Sequence, residues 1–124
     1  MATVEITKDN FRKTYEENDI VILDFWASWC GPCMNFIPVY EKVSEDFPDI
    51  VFGKIDTEME KELAQHFSIR SIPTIMVIRG GYEVFYQPGA LYEEHLRELI
   101  QKVQDLDMDE VIKKLEAQDA EESQ

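Results

Sequence analysis

The chain has 124 residues, which is enough for one domain and leaves no room for a second full domain. Hydrophobic residues make up 44% of the sequence, so the composition is that of a globular protein rather than a disordered one. The formal net charge of −14 argues against a surface that binds phosphate backbones, and we expect no nucleic-acid partner.

The first residues show no recognisable targeting signal. They have neither the basic stretch nor the apolar stretch of a secretory signal peptide. No later apolar run approaches the roughly 20 residues that a membrane-spanning helix needs. We therefore expect a cytoplasmic protein with no membrane partner. In that reducing compartment, the two cysteines of the chain are better explained by catalysis than by a stabilising crosslink.

The first half of the chain alternates between strand and helix patterns. The spacing of apolar residues predicts an edge strand near residues 4–6, a helix ending near residue 19, a central strand over residues 20–26, a helix over residues 33–47 and a strand over residues 50–56. Thr57 and Glu60 then form a capping-box pattern that predicts the start of a short helix. This order predicts parallel strands with helices on both faces of the sheet.

The second half predicts a hairpin and a last helix of the scaffold. Residues 74–78 and 84–86 are apolar strands, and Gly80 and Gly81 between them can supply the positive φ of a tight turn. Apolar spacing then marks a helix that ends near Val103. The predicted fold class is α/β, with a central mixed sheet that has a parallel βαβ part and an antiparallel hairpin.

After Val103 the composition becomes acidic, with eight acidic residues against two lysines in residues 105–124. Asp107 and Glu110 form a second capping-box pattern, and one helix face carries Met108, Val111, Ile112 and Leu115. We expect a domain over residues 1–104 and an acidic C-terminal extension over residues 105–124 that is helical and then disordered. A solvated appendage is the favoured interpretation, and a partner-binding element is the alternative.

The chemistry of the chain centres on Cys30-Gly31-Pro32-Cys33, which follows the central strand. The spacing lets one helical turn bring both sulfur atoms together, so that a disulfide can close and reopen. Cys30 lies where a helix N-terminus stabilises a thiolate, so we expect Cys30 to attack and the more buried Cys33 to resolve the mixed disulfide. Gly31 and Pro32 allow a substrate backbone to approach closely.

A zinc site and a purely structural disulfide are the less favoured uses of this cysteine pair. Zinc needs four ligands, and the chain has no third cysteine. His66 and His95 lie far downstream and in no paired ligand pattern, so we assign them no role. We expect no metal and no bound cofactor besides the redox-active disulfide itself.

Asp24 is a carboxylic acid within the apolar central strand. Burying a carboxylate without a partner costs several kcal/mol unless its pKa rises and it takes up a proton. An acid with a raised pKa behind the cysteines can accept the proton of Cys33 through water when that thiol attacks. The alternative is a buried acid held by a nearby hydrogen-bond donor.

These patterns resemble the thioredoxin family. The resemblance covers roughly residues 3–104 and rests on Asp24 and on two motifs, Trp29-Cys30-Gly31-Pro32-Cys33 and Ser71-Ile72-Pro73-Thr74. It implies the thioredoxin fold and a protein disulfide reductase, with Lys54 as the cation beside Asp24. It also implies disulfide-containing protein substrates and re-reduction by thioredoxin reductase, a separate flavoprotein that uses NADPH. We expect the chain to be a monomer.

The resemblance also implies a substrate-binding surface around the disulfide. The sequence alone favours a trans bond before Pro73, but the cis-proline of the family matches this residue and faces the cysteines. An extended substrate can pair with the backbone there. The apolar rim that the resemblance implies consists of Trp29, Ile72, Gly89 and Ala90. Met34 departs from the family, which commonly has a basic residue after the second cysteine.

A redox-independent clamp is the alternative function. Such a protein-binding module or assembly subunit would use the same apolar surface without the dithiol chemistry. The joint presence of Cys30, Cys33, Asp24 and Pro73 favours the enzyme, because a clamp needs no buried acid behind two thiols.

Overall fold

The computed structural model describes residues 2–122, within which it shows five strands and five helices. The strands are β1 (Thr3–Glu5), β2 (Ile20–Trp26), β3 (Val51–Asp56), β4 (Thr74–Arg79) and β5 (Tyr82–Pro88). The helices are α1 (Phe11–Glu17), α2 (Gly31–Ser44), α3 (Lys61–His66), α4 (Glu93–Gln104) and α5 (Met108–Glu122). The alternation of the first six elements confirms the predicted α/β class.

The strands form one mixed sheet in the order β1-β3-β2-β4-β5. β1, β3 and β2 run parallel, whereas β4 is antiparallel to both β2 and β5. β2 is therefore the central strand, and all of its residues except Trp26 are buried, as its apolar sequence predicts. In this register Asp24 lies between Lys54 of β3 and Ile75 of β4.

Each face of the sheet carries its own apolar core. On one face, α2 and α4 cover the sheet with side chains that include Tyr40, Val43, Leu96 and Ile100. On the other face, Leu63 and Phe67 pack with half-buried aromatic residues of α1. Because Ile22 and Phe52 belong to the core under α2, Asp24 and Lys54, which lie two residues further along the same strands, share that face. The sheet thus places both ionisable groups beneath the helix that starts at the cysteines.

The hairpin between β4 and β5 confirms the predicted turn. Gly80 and Gly81 have φ values of 59° and 85°, which is the left-handed region that glycine adopts without a steric penalty. The N–H of Gly80 also donates to the carbonyl of Asp19 at 2.8 Å. The turn is therefore joined to the loop before β2.

The predicted capping box at Thr57 and Glu60 is wrong. α3 begins at Lys61 after Glu60, and no side chain caps it. The N–H and the hydroxyl of Thr57 instead both donate to the carbonyl of Trp26, at 2.9 and 3.2 Å. Thr57 continues the pairing of β3 with β2, and this contact between strands outweighs the local helix signal.

The segment after α4 is tied to the far end of the sheet from the cysteines. Asp107 accepts the N–H of Glu110 at 3.3 Å, and α5 follows with its apolar stripe half-buried. The Nη1 atom of Arg79, at the end of β4, donates to the carbonyls of Val103, Gln104 and Leu106. No helix within residues 2–122 combines the length and the apolar character needed to cross a membrane.

Candidate active site

The two cysteines lie at the N-terminus of α2, directly after the turn that follows β2. Cys30 is the N-cap residue, and it forms a disulfide with Cys33, whose Cα atom is 5.2 Å from that of Cys30. The Sγ atom of Cys30 accepts the backbone N–H of Cys33 at 3.2 Å. Pro32 lies in the first turn, where an N–H would have no helical partner. A negative charge on the Cys30 sulfur would therefore meet a hydrogen-bond donor and the positive end of the helix dipole.

The disulfide is almost enclosed by its surroundings. Cys30 is 5% exposed and Cys33 is fully buried, so the predicted order of exposure is right. The exposure of Cys30 is nevertheless small, because Trp26, Ala27 and Ile72 pack around the two sulfur atoms. The Sγ atom of Cys30 lies 3.9 Å from the carbonyl oxygen of Ile72. Only a small part of Cys30 is therefore accessible to a partner.

Asp24 is fully buried behind the cysteine pair, in the middle of β2. Neither of its carboxylate oxygens has a hydrogen-bond partner among the described residues. This burial raises the pKa of Asp24 to about 7, although the positive charge of Lys54 acts in the opposite direction. The side chain can thus gain or lose a proton close to neutral pH.

Lys54 is the register neighbour of Asp24, but its ammonium group makes its ion pair with Glu41 and no hydrogen bond with Asp24. Its Nζ atom is 3.8 Å from Oε1 of Glu41 and 5.8 Å from the centre of the Trp26 ring. A surface cavity of about 460 Å³ adjoins this group and is lined by Thr3, Glu5, Trp26, Glu41, Lys54 and Asp56. Lys54 therefore faces a polar cavity beside the buried acid.

The structure brings the predicted substrate-binding residues around the disulfide. The Ile72–Pro73 bond is cis, as the resemblance implies. The carbonyl of Pro73 accepts the N–H of Gly89 at 2.8 Å, which joins this loop to the exposed segment of Gly89 and Ala90. Gly31 and Pro32 are also exposed. A substrate backbone can approach on this side.

Trp29 is a large exposed apolar surface next to Cys30. Its side chain is 69% exposed, and its Nε1 atom donates to Oε1 of Glu58 at 2.9 Å. Trp29 and Ile72 line one surface pocket together with Arg70 and Ala64 of α3. Exposed apolar groups of this size indicate a docking surface. The hydrogen bond to Glu58 fixes the orientation of the indole on that surface.

Sequence reasoning missed three polar residues near the site, namely Tyr40, Glu41 and Glu58. The hydroxyl of Tyr40 lies 3.0 Å from the Ile22 carbonyl and 2.8 Å from the Gly53 carbonyl, both of which can accept its proton. Burial, and to a lesser extent Asp24, raises the pKa of Tyr40 well above its ordinary value. No motif marks these residues, because their roles depend on strands distant in sequence.

Metal ligation has little support in the described part of the chain. Among residues 2–122, no three His, Cys, Asp or Glu side chains are grouped so that they could hold a metal ion. Both His66 and His95 are exposed and lie on helices away from the cysteine pair.

Comparisons with known proteins agree with this geometry. The family model for thioredoxin matches residues 2–102. A Streptomyces coelicolor protein named "Putative thioredoxin 2" is 56% identical over 119 residues, which is 96% of this chain and 89% of that protein. The thioredoxin of Bacillus subtilis is 37% identical over 103 residues, which is 82% of this chain and 98% of that protein.

Solved structures agree as well. A mutant thioredoxin from Halobacterium salinarum superposes with a TM-score of 0.78 at 30% identity, over 84% of this chain and 92% of that chain. The family match includes the strand, the cysteine pair and the hairpin described above. The chain therefore belongs to the thioredoxin family and is a thiol–disulfide oxidoreductase.

Proposed function

We propose that the chain reduces protein disulfides, with Cys30 as the attacking residue, Cys33 as the resolving residue and Asp24 as the proton acceptor. The observation that carries this proposal is the position of Cys30 as N-cap of α2, with its sulfur accepting the N–H of Cys33. That arrangement stabilises a thiolate on Cys30 and gives none of this help to Cys33.

The first step is attack by the Cys30 thiolate on one sulfur of a substrate disulfide. A bond forms between Cys30 and that sulfur, the substrate S–S bond breaks, and the electron pair leaves on the second substrate sulfur, which takes a proton from water. The product is a mixed disulfide. The exposed indole of Trp29 and the loops at Ile72 and Gly89 hold the substrate during this step.

The second step releases the substrate. The Cys33 thiol gives its proton through water to the Asp24 carboxylate and attacks the Cys30 sulfur, which frees the first substrate sulfur as a thiolate. The protein is left with its own disulfide, having lost two electrons to the substrate. A pKa of about 7 suits Asp24 to this transfer, because the group can hold a proton near neutral pH and later return it to water.

The oxidised protein then needs a source of electrons. We assign this to thioredoxin reductase, a separate flavoprotein that uses NADPH, by analogy with the family. We also propose a cytoplasmic monomer, with the catalytic domain in residues 1–104 and an extension in residues 105–124. The family match over residues 2–102 supports that boundary.

Trapping of the mixed disulfide tests the two cysteine roles. A Cys33→Ser variant incubated with a small neutral peptide disulfide should accumulate a stable adduct on Cys30, which intact-mass spectrometry detects. The matched Cys30→Ser variant should accumulate little adduct, because Cys33 is fully buried. Equal or greater adduct on Cys33 in the second variant would reverse the assignment of the two roles.

A further inference from the structure

Lys54 lies next to Asp24 in the sheet register, yet its ammonium group makes its ion pair with a different acid. The two residues face each other across β2 and β3, and a lysine at that position could neutralise the buried carboxylate. The carboxylate oxygens of Asp24 have no hydrogen-bond partner among the described residues, whereas Nζ of Lys54 lies 3.8 Å from Glu41.

Glu41 is placed on α2 where it can hold Lys54. Its side chain is 26% exposed and that of Lys54 is 21% exposed, so water screens this pair less than a fully exposed one. The hydroxyl of Thr3 lies 3.5 Å from the same carboxylate oxygen of Glu41. The Trp26 ring lies on the same side, 5.8 Å from the ammonium group. Glu41 and the Trp26 ring thus lie beside the Lys54 ammonium, and Thr3 contacts Glu41 in turn.

We propose that Glu41 is a positioning residue that engages the Lys54 ammonium in an ion pair, so that Lys54 forms no ion pair with Asp24 and Asp24 keeps its ability to take up a proton. The inference deepens the proposed function and rests on the role given there to Asp24. If Lys54 turned toward Asp24, the ionised carboxylate would be stabilised and would become a weaker base for the Cys33 proton.

The other titratable groups near Asp24 lie on α2, β1 and β3. From α2, the Tyr40 hydroxyl is engaged with two backbone carbonyls, and Cys33 titrates only when reduced. Glu5 of β1 and Asp56 at the end of β3 line the cavity and can also attract Lys54. The register neighbour on β4 is apolar, as are the buried side chains of α4, namely Leu96, Leu99, Ile100 and Val103.

The test is a double-mutant cycle read by the titration of Asp24 itself. Carboxyl ¹³C NMR of the oxidised protein follows Asp24 without interference from the cysteines. Glu41→Gln should lower the titration midpoint of Asp24 by about one pH unit, because Lys54 becomes free to approach it. The matched control is Glu45→Gln, which removes an equal charge from an exposed position at the end of the same helix and should shift the midpoint by only a few tenths.

The Lys54→Met background separates positioning from a direct effect of charge. In that background Glu41→Gln should move the Asp24 midpoint much less, and Lys54→Gln serves as a second background if the methionine variant does not fold. An equal shift with and without Lys54 would overturn the proposal, since Glu41 would then act directly. An unchanged midpoint in the single Glu41→Gln variant would overturn it as well.

The rate of disulfide reduction against pH separates this proposal from the proposed function. Where Asp24 is the proton acceptor, the pH profile of Glu41→Gln moves together with its NMR midpoint, and that result supports both. A shifted NMR midpoint with an unshifted rate profile would keep the positioning role of Glu41 and reject the catalytic role of Asp24.

Discussion

Asp24 makes the stability of this fold depend on pH. Its pKa is raised from 3.8 to about 7, mainly by burial. Between these two values the folded protein binds more protons than the unfolded chain, so the free energy of unfolding falls as the pH rises. This loss of stability is complete above the pKa that Asp24 has in the folded protein. A pKa shift of about three units corresponds to a stability change of about 4 kcal/mol at most.

Replacement of Asp24 should therefore stabilise the protein in a pH-dependent way. Asp24→Asn keeps the shape of the side chain and removes the ionisation. We expect its free energy of unfolding to exceed that of the parent by about 2–4 kcal/mol at pH 8 and by much less at pH 4. Urea denaturation at the two pH values measures this difference. The same variant should reduce disulfides more slowly, since an amide cannot accept the Cys33 proton.

An equal stabilisation of Asp24→Asn at both pH values would contradict the argument. It would mean that the gain comes from packing or hydrogen bonding rather than from the ionisation of a buried acid. Faster turnover of the variant near neutral pH would contradict the role of Asp24 as proton acceptor.

Single residues of the site were predictable only where they break a local pattern. Asp24 interrupts an apolar strand, and the cysteine pair has a spacing with chemical meaning, so both could be identified from sequence. Glu41 and Tyr40 lie on a helix among other polar and aromatic residues, where nothing distinguishes them. These two residues become important only in the folded chain, where α2 covers β2 and β3 and brings both side chains into contact with them.

At the level of elements, β1 is held against β3 by a close approach at Gly53. A Cβ atom at this position would lie 2.6 Å from Cγ1 of Ile6, which is fully buried. Side chains do not tolerate such contacts without movement of the neighbour. Because Gly53 has no side chain, the buried Ile6, which follows β1, can lie across the middle of β3.

Gly53→Ala should destabilise the protein by about 1–3 kcal/mol, because the added methyl group must displace Ile6. Urea denaturation measures the change. Gly31→Ala is the matched control, since nothing lies within 4 Å of a Cβ atom there, and we expect it to change stability little. If both variants lost the same stability, the contact with Ile6 would not be the cause.

The spacing of apolar residues predicted which helices and strands form, but not the residues at which they begin and end. The helix expected over residues 33–47 spans Gly31–Ser44. It begins early because Cys30 provides the N-cap, and it ends early because the chain turns where the backbone N–H of Asp46 donates to the Val43 carbonyl. The start of α3 was missed for a similar reason, since Thr57 bonds to a neighbouring strand. Local signals describe a helix interior well, but tertiary hydrogen bonds decide its ends.

At the scale of the whole molecule, the cysteines and the start of the C-terminal extension lie near opposite ends of β4. Pro73 precedes β4 beside the cysteines, whereas Arg79 at its other end bonds the carbonyls after α4. Met108, the first residue of α5, lies close to Gly80 at that end, and the apolar stripe of α5 is half-buried. The start of α5 thus lies near the end of β4 away from the cysteines, and we expect the extension to supply no group to the disulfide chemistry.

Removal of residues 105–124 should leave the reduction of a small neutral disulfide nearly unchanged. It should lower the free energy of unfolding by about 1 kcal/mol, since a few dozen Å² of apolar surface and one acceptor for Arg79 are lost. Insulin-type turnover and urea denaturation measure the two effects. Replacement of Val111 and Ile112 by Ser in the full chain is the matched control, because it removes apolar packing and retains the acidic residues.

Loss of activity toward the small disulfide in a truncated chain that circular dichroism shows to be folded would make the extension part of the active site. A stability loss on truncation that the serine variant does not share would assign the effect to charge rather than to packing.

The central position of β2 has a consequence for how protons reach Asp24. A strand flanked on both sides by hydrogen-bonded neighbours and covered on both faces does not fray, so its exposure requires most of the free energy of global unfolding. Brief local opening of β2 is thus too rare for the proton-acceptor role that we propose for Asp24, which needs proton exchange in every turnover. We therefore expect protons to reach Asp24 through the folded molecule, and the cavity that its register neighbour Lys54 lines is a candidate route.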